Sequence, residues 1–410
     1  PGGAVRPVVS HDGKKLAYVK RIDMQSAIFI KDLSSGIEKQ AYVGLDRDLQ
    51  EGNGNKGNTP AFSWTPDDKN IIFWAKGKIH NLDLASKESH VIPVHIKTEK
   101  IVTDALRYSV DVAPDKFKVK MARWSQMTAD GKKTVFQALG HIYVRDNKSG
   151  KSKRLTKQKS RFEYYPSLSV DGRSVVYTSW DDNKLGQVQV ASLRTGKSTV
   201  ITKEPGHYIE PSFSPDGKSV VYRKVTGGYL LSGDWSMEPG IYVSKVRKSK
   251  PVKVIDEGDS PQFDHTGKRI YFTHRDISNT RKLFSVNMQG HDKREHYKGD
   301  HVAEYKVSPD GEWLAFVQKN AVYATPFIRT GKSIEVSATS KSFPVKKLAK
   351  YSAKYLHWSG DSKQMQWSFG PTLYHRNMSD TFAYLTKGDV SLPEEVVSGT
   401  DITFEQTADK

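Results

Sequence analysis

A four-residue turn that recurs eight times is the feature of this 410-residue chain that most limits how it can fold. Its clearest form is Ser-Pro-Asp-Gly, at 214–217 and at 308–311. The intervals between copies run from 41 residues (130 to 171) to 63 residues (67 to 130). Units of this length, repeated along a chain, indicate a stack or a ring of similar modules. The third position of the turn falls at residues 12, 67, 130, 171, 216, 266, 310 and 361.

Each turn is followed by two runs that are typical of half-buried strands. After the turn at 214–217 the runs are SVVYRKV and GIYVSKV, and after the turn at 308–311 they are WLAFVQK and AVYATPF. β-Branched and aromatic residues dominate these runs, and many alternate apolar with polar side chains. With a strand before the turn and a fourth short strand after an SGK or TGK turn, each unit has the four antiparallel strands of a propeller blade.

These patterns predict an all-β fold, a β-propeller of eight four-stranded blades that residues 1–410 form as a single domain. The alternative is seven blades with an irregular terminal element. Residues 394–410 have strand character around Phe404. We therefore expect this tail to be either the closing strand of the ring or a linker to a downstream domain.

The recurring acidic residue of the turn is expected to shape the backbone and to perform no catalysis. Proline presets φ at the first turn position, Asp accepts hydrogen bonds from nearby backbone N–H groups, and glycine takes the left-handed conformation. Asp68 and Ser362 replace the glycine in two copies, so these turns are expected to be strained or of another type. The structural turn residues are Asp12, Asp67, Asp130, Asp171, Asp216, Asp310 and Asp361, with Thr266 at this position in the sixth copy.

Composition narrows the class of protein without naming a function. Lys and Arg outnumber Asp and Glu by 64 to 46, which gives a net charge of +18. The lysines are scattered, often directly after a turn glycine as at Lys132 and Lys218, so we expect a solvated surface and no nucleic-acid partner. No apolar run approaches the roughly 20 residues of a membrane helix, so no membrane span is expected. The absence of cysteine excludes disulfides, a thiolate nucleophile and Cys-ligated zinc.

Longer stretches of the sequence resemble a known family. The turns and the IYV-like strands are similar to the TolB-type propeller repeats of bacterial periplasmic proteins. The phrases VFQALGHIYVRD, FEYYPSLSVDG and PGHYIEPSFSPDG, at 135–146, 162–172 and 205–217, are most similar to the N-terminal propeller of bacterial periplasmic or secreted amidohydrolase-family proteins. The resemblance implies a periplasmic or secreted protein in which a metal-dependent hydrolase domain, holding a divalent metal such as zinc, follows the propeller.

The residues that such hydrolase chemistry needs do not occur in this sequence. An amidohydrolase binds its metal partly through a His-x-His pair, and none is found among the 13 histidines. A Gly-x-Ser-x-Gly nucleophile elbow is also missing. We therefore expect this chain alone to have no catalytic residue, no metal site and no cofactor, whatever the activity of the parent protein.

The loops that lead into the first strand of each unit form the candidate binding site, because such loops gather at one end of a propeller channel. They place aromatic residues beside carboxylates and imidazoles, which suits a peptide or a small cationic or amide ligand. The alternative is that these side chains pack between blades and hydrogen-bond to loop backbone. The candidate residues at the channel mouth are Phe162, Glu163, Tyr164, His207, Tyr208, Glu210, Asp300 and His301.

Two functions follow as hypotheses. In the first, the chain is the noncatalytic TolB-like propeller of a larger amidohydrolase-like protein, where it gates or presents substrate and binds the downstream hydrolase domain, a protein or a peptide. In the second, it is a free-standing periplasmic TolB-like module for protein–protein interaction.

Overall fold

The chain folds almost entirely into short antiparallel strands, as a computed structural model shows. The structure describes residues 3–22, 25–46, 59, 61–112, 116–227, 236–247, 250–349, 352–383, 398–401 and 403–405. Two compact units divide the chain. The first comprises Pro1–Val110 with Thr226–Met237, and the second comprises Asp111–Val225 with Glu238–Lys410.

The first unit contains two four-stranded antiparallel sheets whose strands follow one another in chain order. The indole Nε1 of Trp64 donates a hydrogen bond to the Val8 carbonyl oxygen at 3.1 Å, and a shared apolar core that includes Ile28 and Ile71 joins the two sheets. The first sheet is β1 (Ala4–Val9), β2 (Lys15–Ile22), β3 (Gln25–Asp32) and β4 (Glu38–Val43), and the second sheet is β5 (Ser63–Trp64), β6 (Asn70–Ala75), β7 (Lys78–Asp83) and β8 (Ser89–Ile92).

The second unit contains six further sheets of four or five strands, the third to the eighth along the chain. The third sheet is formed by β10 (Arg123–Met127), β11 (Lys133–Ala138), β12 (His141–Asp146) and β13 (Ser152–Arg154), and the fourth by β14 (Phe162–Leu168), β15 (Ser174–Trp180), β16 (Gln187–Ser192) and β17 (Ser198–Val200). The fifth is formed by β18 (His207–Phe213), β19 (Ser219–Val225), β20 (Gly240–Lys245) and β21 (Val252–Ile255), and the sixth by β22 (Asp259–Phe263), β23 (Arg269–Arg275), β24 (Thr280–Asn287) and β25 (Arg294–Asp300). The seventh is formed by β26 (Val302–Val307), β27 (Trp313–Gln318), β28 (Ala321–Pro326) and β30 (Lys346–Lys347), and the eighth by β31 (Lys354–Trp358), β32 (Gln364–Phe369), β33 (Thr372–Asn377) and β34 (Ser398–Asp401).

Three smaller elements complete the second unit. Strand β29 (Ile334–Glu335) adds to the sixth sheet, parallel to β25. Strand β9 (Lys116–Lys118) pairs antiparallel with β35 (Thr403–Glu405). A single helical turn, α1 (Met378–Thr381), follows β33.

Neighbouring sheets of the second unit pack face to face through apolar cores, and four of the neighbouring pairs also hydrogen-bond through their first strands. The fourth and fifth sheets share a core that includes Val176 and Val220. The hydrogen bonds join the third and fourth sheets through Gln126 and Pro166, the fifth and sixth through Glu210 and Ser260, the sixth and seventh through Gln262 and Val307, and the seventh and eighth through Lys306 and Trp358.

The eighth sheet in turn bonds directly to the third. The backbone N–H of Met127 donates to Gln366 Oε1 at 2.7 Å, and Gln366 Nε2 donates back to the Met127 carbonyl oxygen at 3.3 Å. The N–H of Ala122 donates to the Gly370 carbonyl oxygen at 3.0 Å. The contacts between the six sheets therefore run in a cyclic order.

The prediction of an all-β fold built from four-stranded antiparallel sheets is confirmed, but the prediction of eight blades in one ring is not. In a ring of eight, the first and second sheets would separate the eighth sheet from the third. The structure instead shows the eighth and third sheets hydrogen-bonded to each other. The alternative of seven blades with an irregular terminal element is likewise not confirmed.

The turn aspartates share one hydrogen-bond pattern. Asp216 Oδ1 accepts bonds from Ser214 Oγ at 2.7 Å and from the Lys218 N–H at 3.0 Å, and these donors hold the pKa of Asp216 below its usual range. A carboxylate with such donors fixes the turn backbone. The same two bonds, from the Ser or Thr two positions before and from the N–H two positions after, are made by Asp12, Asp67, Asp130, Asp171, Asp310 and Asp361.

The three irregular turn copies keep this geometry with other residues. Thr266 Oγ1 donates to Asp264, which has taken the position of the usual serine. Asp68 and Ser362 have φ of +55° and +61°, the left-handed conformation that glycine adopts elsewhere. The turn type is thus retained at the cost of backbone strain. Each of the two replacements also contacts the preceding sheet, since Asp68 accepts from the N–H of Asp12 at 2.8 Å and Ser362 Oγ accepts from the N–H of Asp310 at 3.0 Å.

The predicted tail, 394–410, is described in part. Residues 398–401 form β34, the fourth strand of the eighth sheet, and residues 403–405 form β35. Residues 394–397, 402 and 406–410 lie outside the described part of the chain. Over the described residues, no helix has the length and apolar character that crossing a bilayer requires.

Candidate binding site

A cavity of about 340 Å³ opens at the centre of the six sheets of the second unit, on the side where their first strands begin. We call it the mouth cavity. All six first strands contribute to its wall. Its aromatic, charged and hydroxyl-bearing lining residues include Trp124, Tyr165, Glu210, Arg223, Asp259, Ser260, Arg281, Glu304, Lys306, Tyr355 and His357.

An irregularity in each first strand determines which side chain lines the mouth cavity. In the fourth sheet the register between β14 and β15 shifts between Tyr164 and Ser167, and Tyr165 has φ of +52°. Such a bulge redirects a side chain, and left-handed backbone at a residue other than glycine typically costs about 1–3 kcal/mol. Five of the six equivalent residues have φ between +49° and +60°. The six residues, each four positions before the first residue of its turn, are Trp124, Tyr165, Glu210, Ser260, Glu304 and Tyr355.

Three of these residues form an aromatic half of the mouth cavity. The ring centroid of Trp124 lies 4.4 Å from that of Tyr165 and 5.1 Å from that of Tyr355. They come from the third, fourth and eighth sheets, which are adjacent in the cyclic order. Burial raises the pKa of both tyrosines, so their phenols remain neutral at physiological pH. The aromatic half therefore offers apolar ring surface beside uncharged hydroxyl groups.

The fifth and sixth sheets supply a charged half with two ion pairs. Arg223 Nη1 lies 3.0 Å from a carboxylate oxygen of Glu210, and Arg281 Nη1 lies 2.6 Å from Asp259 Oδ1. Glu210 also accepts a hydrogen bond from the N–H of Ser260 at 2.7 Å. All four charged side chains are at most 28% exposed. Because each carboxylate is held by a partner, its orientation is fixed before any ligand arrives.

Three ionisable residues from the seventh and eighth sheets lie in the remaining wall. Burial raises the pKa of Glu304 to about 7, while nearby Lys306 opposes this shift. Burial, and to a smaller extent the charge of Lys306, lowers the pKa of His357 to about 3. At neutral pH, His357 is therefore uncharged and Glu304 is divided between its acid and carboxylate forms.

The channel narrows beyond the mouth cavity. Lys306 and His357 also line a second cavity of about 90 Å³, which continues toward the turns and has apolar walls that include Phe213, Phe263 and Trp358. A ligand that enters the mouth would thus be held close to Lys306 and His357.

Of the eight residues predicted for the channel mouth, Glu210 lines the mouth cavity. Glu163 is fully buried and accepts hydrogen bonds from the Ile142 N–H at 3.0 Å and from Gln158 Nε2 at 2.8 Å. Tyr208 is also buried, and its hydroxyl donates to the Glu204 carbonyl oxygen at 2.9 Å. Glu163 therefore joins the fourth sheet to β12 of the third sheet, and Tyr208 holds the loop that precedes its own strand.

The other predicted residues lie outside the cavity lining. The His207 ring centroid is 5.3 Å from that of Trp180, and that of Phe162 is 6.5 Å from His141. Tyr164 precedes the bulge and is half-buried. Asp300 accepts from Thr280 Oγ1 at 2.5 Å, and His301 lies in the turn before β26 with φ of +56°. The structure therefore does not bring the eight residues together at one site.

Five of the lining residues that were not among the sequence candidates occupy the bulge position, and the sequence contains a signal for these five. The offset of four residues from the turn identifies the lining position in each of the six copies of the second unit. Counting back from the recognised turns would have selected all five, because the turn and the bulge belong to the same strand. They are Trp124, Tyr165, Ser260, Glu304 and Tyr355.

Part of the chain matches a described protein family. Residues 141–340 match the family model of the TolB beta propeller domain. The match supports a TolB-type β-propeller domain over these residues. It includes the fourth to sixth sheets and most of the seventh.

Curated and solved relatives extend the comparison. The Tol-Pal system protein TolB of Francisella tularensis subsp. mediasiatica is 31% identical over 197 residues, which cover 38% of this chain and 45% of that protein. The chain thus spans less than half of this relative's length. TolB from Acinetobacter baumannii is 18% identical with a TM-score of 0.35, covering 68% of this chain and 62% of that chain. Oligogalacturonate lyase from Vibrio parahaemolyticus is 10% identical with a TM-score of 0.44, and the match covers 89% of this chain and 94% of that chain. The last two similarities are too low to support a functional argument.

Proposed function

We propose that the second unit is a six-bladed, TolB-like protein-binding module whose mouth cavity receives a segment of a partner protein. The observation that carries the proposal is the division of the mouth into an aromatic half and a charged half, both held rigidly by strand backbone. Tyrosine, tryptophan and arginine are the residues that contribute most to binding at protein interfaces, particularly when they are fixed before association.

The chemistry of the two halves suggests how a bound segment would lie. An apolar or aromatic side chain of the partner would pack on Trp124 and its two tyrosine neighbours. Backbone N–H groups of the same segment would donate to Glu210 and Asp259, whose carboxylates have oxygen capacity beyond their arginine partners. Glu304 would accept a further donor in its carboxylate form.

The similarity to a protein named as a component of the Tol-Pal system supports an interaction role for this chain. By the same similarity, we propose a periplasmic location. The predicted role beside a downstream amidohydrolase-like domain is a separate proposal, in which this propeller gates or presents substrate without catalysing the reaction. Amide hydrolysis by the isolated chain with added zinc would contradict that noncatalytic role.

Site-specific photo-crosslinking in the source cell tests the binding proposal. A benzophenone amino acid replaces Tyr355 in the aromatic half, and a control chain carries it at Lys132, an exposed turn residue whose side chain is 79% exposed. We expect a discrete protein adduct from position 355 that disappears when Trp124→Ala is added. An adduct of the same size and yield from position 132, or one insensitive to Trp124→Ala, would contradict the proposal.

A further inference from the structure

A second set of six side chains lies deeper in the channel than the bulge residues of the mouth cavity. Each occupies the position two residues before the first residue of its turn, in the first strand of its sheet. Four of the six line both the mouth cavity and the narrower cavity of about 90 Å³ beyond it. We call this set the inner ring, and its members are Gln126, Ser167, Ser212, Gln262, Lys306 and His357.

The two glutamines of the inner ring bond to backbone groups of the next sheet. Gln126 Nε2 donates to the Pro166 carbonyl oxygen at 2.7 Å, and its Oε1 accepts from the N–H of Leu168 at 2.8 Å. Gln262 Nε2 donates to the Val307 carbonyl oxygen at 3.2 Å. These two amides therefore connect neighbouring sheets.

The other four members of the inner ring have no such partner. Among the described residues, no hydrogen bond or ion pair within the chain holds the ends of these side chains. They are the hydroxyls of Ser167 and Ser212, the ammonium of Lys306 and the imidazole of His357. Each of these groups can donate a hydrogen bond, since a neutral imidazole keeps one N–H. The inner ring therefore presents four free donors, from four different sheets, where the two cavities meet.

Lys306 brings a positive charge to the inner ring, and no ion pair among the described residues neutralises it. The two arginines of the charged half are already held by carboxylates. Glu304, on the same strand as Lys306, is only partly ionised at neutral pH because burial raises its pKa to about 7. His357 is uncharged because burial lowers its pKa to about 3. The inner ring therefore suits an anion of single charge.

The size of the inner cavity limits what can reach this ring. Pockets that hold whole small ligands have volumes of roughly 300–1,000 Å³, whereas the inner cavity has about 90 Å³. It can admit one functional group while the rest of the ligand stays in the mouth cavity. A carboxylate meets these limits because it is small, has one negative charge and accepts hydrogen bonds at about four lone-pair sites.

We propose that the inner ring holds a carboxylate group of the partner segment, with Lys306 as its charge partner and the two serines and His357 as further donors. This inference rests on the proposed function and names the group through which the segment is recognised. A hydrogen bond from an ammonium to a carboxylate is roughly twice as strong as one between neutral groups. The carboxylate belongs either to the C-terminus of the partner chain or to an Asp or Glu side chain.

Three pools of N-acetylated random hexapeptides, incubated with the immobilised full chain, test this inference. Peptides of the first pool have a free C-terminal carboxylate and no Asp or Glu, those of the second have an amidated C-terminus and one Asp or Glu, and those of the third have an amidated C-terminus and neither residue. Mass spectrometry measures the retained fraction at physiological ionic strength, where a Debye length of about 8 Å limits the influence of the +18 net charge. We expect the first or the second pool to be retained at least about tenfold better than the third, and the better-retained pool identifies the source of the carboxylate.

Substitutions in the inner ring separate its role from that of the general surface charge. Lys306→Met removes the ammonium and is expected to abolish the tenfold preference, whereas Lys306→Arg should keep most of it. The control, Lys132→Met, removes the same charge from a side chain that is 79% exposed and should leave the preference unchanged. Ser212→Ala is a milder second variant that we expect to weaken retention of the carboxylate pools about twofold to tenfold. Circular dichroism verifies that each variant remains folded.

Failure of this inference would differ from failure of the proposed function. Equal retention of the three pools, or a preference that both Lys306→Met and Ser212→Ala leave intact, would overturn the carboxylate assignment alone, provided that Trp124→Ala abolishes retention. Retention that Trp124→Ala does not reduce, or no retention of any pool, would contradict the proposed function together with this inference.

Discussion

At the scale of single residues, local turn chemistry could be predicted from residue type, whereas the orientation of side chains near a bulge could be predicted only from their offset to the turn. Asp216 and its equivalents were predicted as turn residues because Ser-Pro-Asp-Gly contains all the groups that the turn uses. Glu163 and Tyr208 were predicted to face a channel, but a regular strand directs them into the protein. Tyr165 lines the mouth cavity because its backbone adopts φ of +52°, a conformation that residue type does not indicate.

Replacing Glu304 by Gln is expected to stabilise the protein at alkaline pH. Burial raises the pKa of Glu304 to about 7, so the folded chain keeps a proton that the unfolded chain has already lost. At a pH below the pKa of Glu304 in the unfolded chain, the carboxyl group is protonated in both states and does not lower the free energy of unfolding. The loss in unfolding free energy grows as pH rises toward 7 and then stays constant, on the order of 1–3 kcal/mol.

Thermal unfolding at pH 4 and pH 8 measures this effect. Glu304→Gln should raise the melting temperature relative to wild type at pH 8 and change it little at pH 4. The control is Glu312→Gln, at a side chain that is 66% exposed. It should change the melting temperature little at either pH. A shift of the same size at both pH values for Glu304→Gln would contradict the proposed ionisation cost.

At the scale of elements, strand existence and order could be predicted, but the partners of the terminal sheets could not. Alternating runs such as SVVYRKV correctly indicated strands because each has one face on an apolar core. The contact of the third sheet with the eighth includes hydrogen bonds between Met127 and Gln366, 239 residues apart. The turns that identify the repeat contain no information about such a contact.

Replacing Gln366 by Ala is expected to destabilise the second unit. The fully buried amide forms both hydrogen bonds between β10 and β32. Its removal leaves the N–H of Met127 without a partner, and an unsatisfied buried donor costs about 1–3 kcal/mol. Urea unfolding should show this loss for Gln366→Ala and a clearly smaller one for Gln364→Ala on the same strand. Equal losses would argue against a closing role for this bond.

At the scale of the whole molecule, the repeat predicted the number of sheets better than their arrangement. Eight turns correspond to eight sheets of four or five strands among the described residues, but two of these belong to one compact unit and six to another. The six-sheet arrangement creates a central cavity to which every first strand contributes one residue from the same repeat position. A module of this kind can change its ligand by changing six side chains while its backbone stays the same. The predicted link to an amidohydrolase-like parent remains a prediction.

The most direct test of the proposed function is the affinity of a Trp124→Ala variant for the partner that position 355 captures. Isothermal titration would compare it with wild type and with Trp74→Ala, an exposed tryptophan of the first unit whose side chain is 42% exposed. Loss of a central aromatic contact typically costs 2 kcal/mol or more, so we expect roughly 30-fold weaker binding for Trp124→Ala and wild-type affinity for Trp74→Ala. Unchanged binding by Trp124→Ala, or an equal loss in both variants, would contradict the assignment of the mouth cavity as the binding site.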